Sequence, residues 1–250
     1  AGGLSDRGGE WNWPIDPGAS PDKASGENYI DWNTWIGSAK KRPFSKARFF
    51  QFRKYWDYSG GIATDLLYHL IAPLTIALGV SAPEKASAAG GIYVQHDDRE
   101  VPDTFMVTLD YPEDVTLVLT SSMANRQGNP IVIRGHKATI RPHEDGMQVT
   151  AEKEFTDWFT KEFGAAEIVV KKEQRDDHMT NFLNACRVRG EVHCDPETAY
   201  RAMAATRMGC DSWRQDKVIF WDNAKEKYVN KHPRPDRTSR WPQEPEPTAT

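Results

Sequence analysis

Residues Arg53–Gly79, RKYWDYSGGIATDLLYHLIAPLTIALG, decide the reading of this chain, because they set an acid and a base inside an otherwise apolar helix. Ser59 is placed to cap that helix by accepting a backbone N–H of its first turn, and Gly60-Gly61 let a second backbone or a ligand come close to its start. Ile62, Ala63, Leu66, Leu67, Leu70 and Ile71 leave little polar surface, which predicts a segment buried on most sides. Asp65 and His69 stand four apart, so a continuous helix puts both on one face, within reach of each other or of a shared ligand. Pro73 lacks the N–H that the carbonyl of His69 would accept, which predicts a bend one turn beyond the histidine. Two readings of the pair follow. It is an ordinary helical Asp–His contact, or a site where a ligand, a lysine or a cleft compensates a carboxylate too costly to bury alone.

Upstream, residues 1–30 are rich in Gly, Pro, Asp and Ser and form a loop-rich segment. The indoles of Trp11 and Trp13 within it have no use in a solvated linker, so GEWNWPID is expected to pack on the domain or rim a pocket. DWNTWI (31–36) reads as a short helical turn, and KKRPFSKARFFQF (40–52) mixes cations with Phe44, Phe49 and Phe50. That second segment is either a half-solvated loop whose phenylalanines plug the core or a cation-and-aromatic rim that grips a sugar or an anion.

Downstream come strands. Segments 86–95, 104–111 and 115–123 are β-branched or aromatic, and the last two form a hairpin around Pro112-Glu113-Asp114. Segments 131–134, 138–141, 147–150 and 168–171 continue the series. Short connections make successive strands antiparallel neighbours, so the fold class is α+β: an open, predominantly antiparallel sheet with helices packed on one face. Met179, Phe182, Leu183 and Cys186 keep helical spacing, and Asp195 caps a second helix with Pro196 at its first position. Cys186 and Cys210 fall on the apolar faces of these two helices and read as buried free thiols. A single domain is expected over residues 31–229, followed by a proline-rich tail, 230–250, or an arm that orders against a partner.

Composition excludes other classes. A net charge of −4 with scattered Lys and Arg offers no basic stripe for nucleic acid, and no apolar run approaches the roughly 20 residues of a membrane span. Three cysteines without CxxC spacing make no zinc site, and His96, Asp97 and Asp98 at a strand end point to opposite faces, so no metal is expected. The chain opens Ala1-Gly2-Gly3 without Met, which reads as a processed or excised product and leaves the compartment open.

YWDYSGGIATDLLYH, DREVPDTF, VIRGHKATIRP and HMTNFLNACRVRGEVHCDPETAYRAM, in this order, resemble the C-terminal domain of the Gfo/Idh/MocA oxidoreductases, the glucose–fructose oxidoreductase and inositol dehydrogenase group. That resemblance implies an NAD- or NADP-binding Rossmann domain ahead of the present fold, and a catalytic Asp and His four apart that map onto Asp65 and His69. His69 would then take the proton of a sugar hydroxyl as hydride leaves, with Asp65 orienting the imidazole or the substrate. Arg53, Tyr55, Trp56 and Tyr58 beside the helix, with Trp11 and Trp13, are the candidate substrate-binding residues, because sugar C–H faces stack on aromatic rings.

The departures matter as much. The chain carries neither a GxGxxG turn nor the family's EKP lysine, so no NAD(P) site is expected here alone. It is read as the C-terminal part of a cleaved enzyme, one subunit of a split enzyme with a separate Rossmann domain, or a stand-alone descendant. Two functions follow: the substrate half of an NAD(P)-dependent sugar or polyol dehydrogenase, or a cofactor-free carbohydrate-binding protein or lyase acting on oxidised sugars. Phe105, Val107, Leu109, Leu117 and Leu119 alternate on strands whose other face carries Met106 and Val118. A sheet apolar on both sides predicts a homodimer or homotetramer packed through that face.

Overall fold

A computed structural model describes residues 12–125 and 127–236. They fall into two compact units, 12–127 with 194–236, and 128–193. In the first, β1 (Lys85–Gly91), β2 (Thr104–Asp110), β3 (Thr116–Ser122), β8 (Ile219–Asp222) and β9 (Lys227–Val229) make an antiparallel sheet in the order β3-β2-β1-β8-β9. In the second, β4 (Ile133–Arg134), β5 (Ala138–His143), β6 (Gly146–Ala151) and β7 (Glu167–Lys171) make a four-stranded antiparallel sheet in sequence order. The antiparallel α+β class is as the sequence predicts, but the strands divide between two sheets. Short turns specify neighbours and not sheet membership. Strand β3 is an edge, and β8 occupies the free side of β1 by pairing Ile219 with Ala86.

Two short helices, α1 (Trp32–Ile36) and α2 (Lys46–Phe50), precede α3 (Ile62–Asp65) and α4 (Tyr68–Leu78). The predicted hairpin forms as β2–β3, with Val107 opposite Leu119 and Leu109 opposite Leu117, and these four are buried in one core with residues of α3, α4 and α7 (Pro196–Gln215). Helix α7 starts as its sequence demands, with the Asp195 carboxylate accepting from Thr198 N–H and Pro196 at the first position. The opposite face is less apolar than expected. Met106 and Val118 are exposed, at 47% and 70%, but they alternate in the register with Thr108 and Thr120.

Strand β1 ends at Gly91 although apolar residues run on, because the buried Asp103 carboxylate claims the backbone N–H groups of Tyr93, Val94 and Gln95. Burial alone would lift this carboxyl, but those three hydrogen bonds hold it below the usual carboxylate range.

The second unit holds two surprises. TDWFTKEF forms a helix, α5 (Thr156–Phe163), whose Phe159 is buried. Helix α6 (His178–Val188) forms as its spacing predicts, yet it buries no residue, and Phe182 remains 55% exposed. The expectation that α6 covers a sheet face with Cys186 inside is therefore corrected. Amphipathic spacing creates an apolar stripe but does not supply a partner for it, and Cys186 is exposed whereas Cys210 on α7 is buried.

At the other end, the chain from Lys231 to Asp236 lies against its own first unit, where His232 packs edge-on against Phe220 and Arg234 is ion-paired. Residues beyond 236 lie outside the described region.

Candidate functional site

Two glycines position the central segment. Gly61 adopts φ +61, and a Cβ there would sit 2.6 Å from Val101 Cγ2. At Gly60 it would meet Thr64 Cγ2 at 2.4 Å and Cys210 Sγ at 3.2 Å. Close approach is thus required, as the sequence suggests, but the approaching groups are the chain's own Val101, Thr64 and α7. The pair forms no open cradle for a phosphate, so the described residues offer no fit for a dinucleotide at this turn. Ser59 does not cap the helix. It accepts from Gly61 N–H at 3.1 Å, while Thr64 Oγ1 accepts from Gly60 N–H at 3.0 Å.

The helix carrying Asp65 and His69 is not continuous. Helix α3 stops at Asp65 and α4 begins at Tyr68, and the N–H of Leu67 reaches back five residues, at 3.4 Å, to Ile62 O. The irregularity lies before the histidine rather than after Pro73, which α4 accommodates on its exposed side. Widening that turn takes the two side chains out of ideal i,i+4 register, and no hydrogen bond or ion pair joins them. The Asp65 carboxylate instead accepts from Arg53 Nε at 3.0 Å. His69 is exposed on α4 beside exposed Leu70, on a surface that continues to Pro73 and to Ile76, 45% exposed. The prediction that this segment is buried on most sides therefore fails on one face. Leu67, Ile71 and Thr75 take the core side.

At the residue after Arg53 begins a charged platform that neither motif nor periodicity announces. Lys54 is buried, and its ammonium meets Asp97 Oδ2 at 2.8 Å and Gln51 Oε1 at 2.8 Å. Arg99, also buried, clamps the same Asp97 through Nε at 2.7 Å and Nη2 at 2.9 Å. Burial opposes the ionised Asp97 carboxylate, but hydrogen bonds from Arg99 and Lys54 and their charges outweigh it and hold the group far below the usual carboxylate range. Tyr55 donates its hydroxyl to Asp98, and Arg48 stacks over its ring at 4.1 Å. The one available signal was composition: FRKYWD and HDDRE carry complementary charges, but nothing in sequence aligns them.

The other candidates divide between this framework and the surface. Tyr55 is 2% exposed and belongs to the framework, presenting no ring face to a ligand. Trp56 is half-buried, donates Nε1–H to Glu100 O at 2.8 Å and lies under Arg214 at 4.6 Å. The Tyr58 ring packs on Trp35, with centroids 4.7 Å apart, and its buried hydroxyl has no hydrogen-bond partner. Trp13 is 50% exposed, and its carbonyl accepts from Gln51 Nε2 at 2.9 Å, which ties the N-terminal segment next to the Phe52–Lys54 turn. Trp11 lies outside the described residues. In KKRPFSKARFFQF, Phe44 packs edge-on against Trp32, as the first of the two readings expects, and the cations Arg42 and Arg48 meet the chain's own Asp57 at 2.6 and 3.6 Å. His143, Glu144 and Asp145 cluster on the β5–β6 turn, but Nδ1 of His143 already accepts from Asp145 N–H at 3.2 Å.

An antiparallel sheet with helices on one face, and an Asp and an exposed His on successive helical segments, is the architecture that the sequence resemblance leads one to expect. Residues 8–239 match the family described as the oxidoreductase family, C-terminal alpha/beta domain, and the chain belongs to the Gfo/Idh/MocA oxidoreductases through that domain. No curated protein matches it. Among solved structures, the NAD-binding protein from Listeria innocua aligns at 13% identity and a TM-score of 0.53, over 73% of this chain and 56% of that one. A Thermotoga maritima protein assigned as an oxidoreductase aligns at 16% identity and the same TM-score of 0.53, over 72% of this chain and 51% of that one. These likenesses establish the fold. The chain spans about half the length of the structures it resembles.

Proposed function

We propose that this chain is the substrate-binding and proton-transferring half of an NAD(P)-dependent oxidoreductase that acts on a secondary alcohol of a sugar, polyol or related carbohydrate. The observation that carries the reading is His69: an imidazole left exposed on an otherwise apolar helix surface, just past an Asp65 fixed by Arg53. NAD or NADP, held outside this chain, would accept the hydride. His69 takes the hydroxyl proton at a ring nitrogen, and the Arg53–Asp65 pair presents a fixed charge and hydrogen-bonding edge to the substrate. Of the two roles that the resemblance implies for Asp65, orienting the imidazole or orienting the substrate, this is the second. Trp13, 50% exposed, supplies a flat apolar face of the kind sugar rings stack on, whereas Trp56 is covered by Arg214. Met106 and Val118 on the open sheet face support a homodimer or homotetramer through that surface.

The test is His69→Ala in the complete enzyme, with a panel of sugars and polyols. Turnover is expected to fall about 100-fold or more with KM changed less. Unchanged turnover would refute the assignment. Carbohydrate binding by a complete protein that shows no NAD(P)-dependent oxidation would favour the carbohydrate-binding or lyase alternative.

A further inference from the structure

We propose that residues Lys231–Asp236 are a detachable strap, latched by Arg234 into an acidic notch at the end of the five-stranded sheet. Three acceptors from two separate parts of the fold converge on this guanidinium. Asp114 Oδ1 accepts from Nη1 at 2.6 Å, Tyr111 O accepts from Nη2 at 3.3 Å, and Glu84 Oε2 lies 3.4 Å from Nε. Asp114 and Tyr111 belong to the β2–β3 turn, whereas Glu84 leads into β1. The side chains of Arg234, Glu84 and Asp114 are only 11%, 13% and 16% exposed, so the latch is far more enclosed than a surface ion pair.

The latch is also incomplete. Nε of Arg234 and Oε2 of Glu84 are both buried and both lack a hydrogen bond, although they face each other across the 3.4 Å gap. Closing it by a few tenths of an ångström would make the guanidinium a full bridge between the turn and β1. The contact therefore has a tightly held side at Asp114 and a slack side at Glu84, as expected of a segment that docks on a finished sheet rather than building it.

The strap walls a cleft. His232 and Arg234 form one wall of a cleft of about 290 Å³ whose other wall is Asp110, Tyr111, Asp114, Val115 and Thr116. Tyr111 is 1% exposed, with its hydroxyl unpartnered. Asp114 holds φ +60, a conformation that non-glycine residues adopt only at some cost, and its carboxylate accepts from Arg234. Detachment would open the cleft and free the β2–β3 turn to relax, while β1, β2 and β3 keep their ladders.

Limited trypsin digestion with hydrogen exchange tests this on the full chain. Lys231–His232 is a cleavable bond inside the strap, whereas Arg234–Pro235 resists trypsin. In Arg234→Ala, cleavage after Lys231 should rise about tenfold or more, and amides of residues 111–115 should lose protection while those of β1 and β2 keep theirs. Arg234→Lys, which retains one charged contact, should fall between. Equal cleavage after Lys231 in all three proteins would overturn the latch. Loss of protection throughout the sheet in Arg234→Ala would also overturn it, because Arg234 would then be core and not a strap.

Discussion

Replacing Asp97 by Ala should destabilise this protein by far more than its position in the loop between β1 and β2 suggests. The substitution leaves the ammonium of Lys54, with a side chain 5% exposed, and the guanidinium of Arg99, 1% exposed, without the carboxylate that both address at 2.7–2.9 Å. Removing one partner of a buried ion pair costs about 3–5 kcal/mol, because the remaining charge stays desolvated. Asp97 itself is 30% exposed, so water can reach the vacated space and the lower end, about 3 kcal/mol, applies. At about 2–4 °C per kcal/mol for a chain of this size, the melting temperature should fall by about 6–12 °C. Asp98→Asn, which disturbs only the acceptor for Tyr55, should cost nearer 1 kcal/mol.

The pH dependence has a definite sign. The folded carboxyl of Asp97 lies below its unfolded value, so its stabilisation is complete above the ordinary carboxylate range near pH 4 and is lost as pH falls through the folded value. Thermal melts at pH 7 and in acid measure both effects. A melting temperature within a degree of wild type at pH 7 would show that Lys54 and Arg99 are satisfied elsewhere, and would refute the platform.

Further outcomes follow from the same geometry. Gly61→Ala places a Cβ 2.6 Å from Val101 Cγ2 at φ +61 and should cost about 2 kcal/mol or more, read by chemical denaturation. Cys210, its thiol pushed up to about 12 by burial and then by Asp211, should resist iodoacetamide in the folded protein, while exposed Cys186 reacts; mass spectrometry before and after unfolding separates them. Val118→Asp should be neutral for a lone chain, since the residue is 70% exposed, but should lower the mass seen by light scattering if copies pack through this face. Equal masses for the variant and wild type would remove the face from any interface.

By itself the sequence determined the features whose causes are local. Alternation across residues 104–123 specified a hairpin and the face that Val107, Leu109, Leu117 and Leu119 share, because side-chain direction repeats every two residues. Asp195-Pro196 specified where α7 starts, because the cap uses groups within a single turn. The family too was legible, since ordered motifs survive in contiguous residues. Only the tertiary structure decided which sheet each strand joins, whether α6 finds a partner, and which group Asp65 meets. Each is a competition between distant segments. Strand β8 reaches β1 across more than 130 residues, and Ser212 Oγ accepts from Ala88 N–H across 124. At Asp65 the outcome turned on a widened helical turn and on Arg53, twelve residues upstream. Periodicity reports which face a residue takes, but the group waiting there is set by packing that no local pattern encodes.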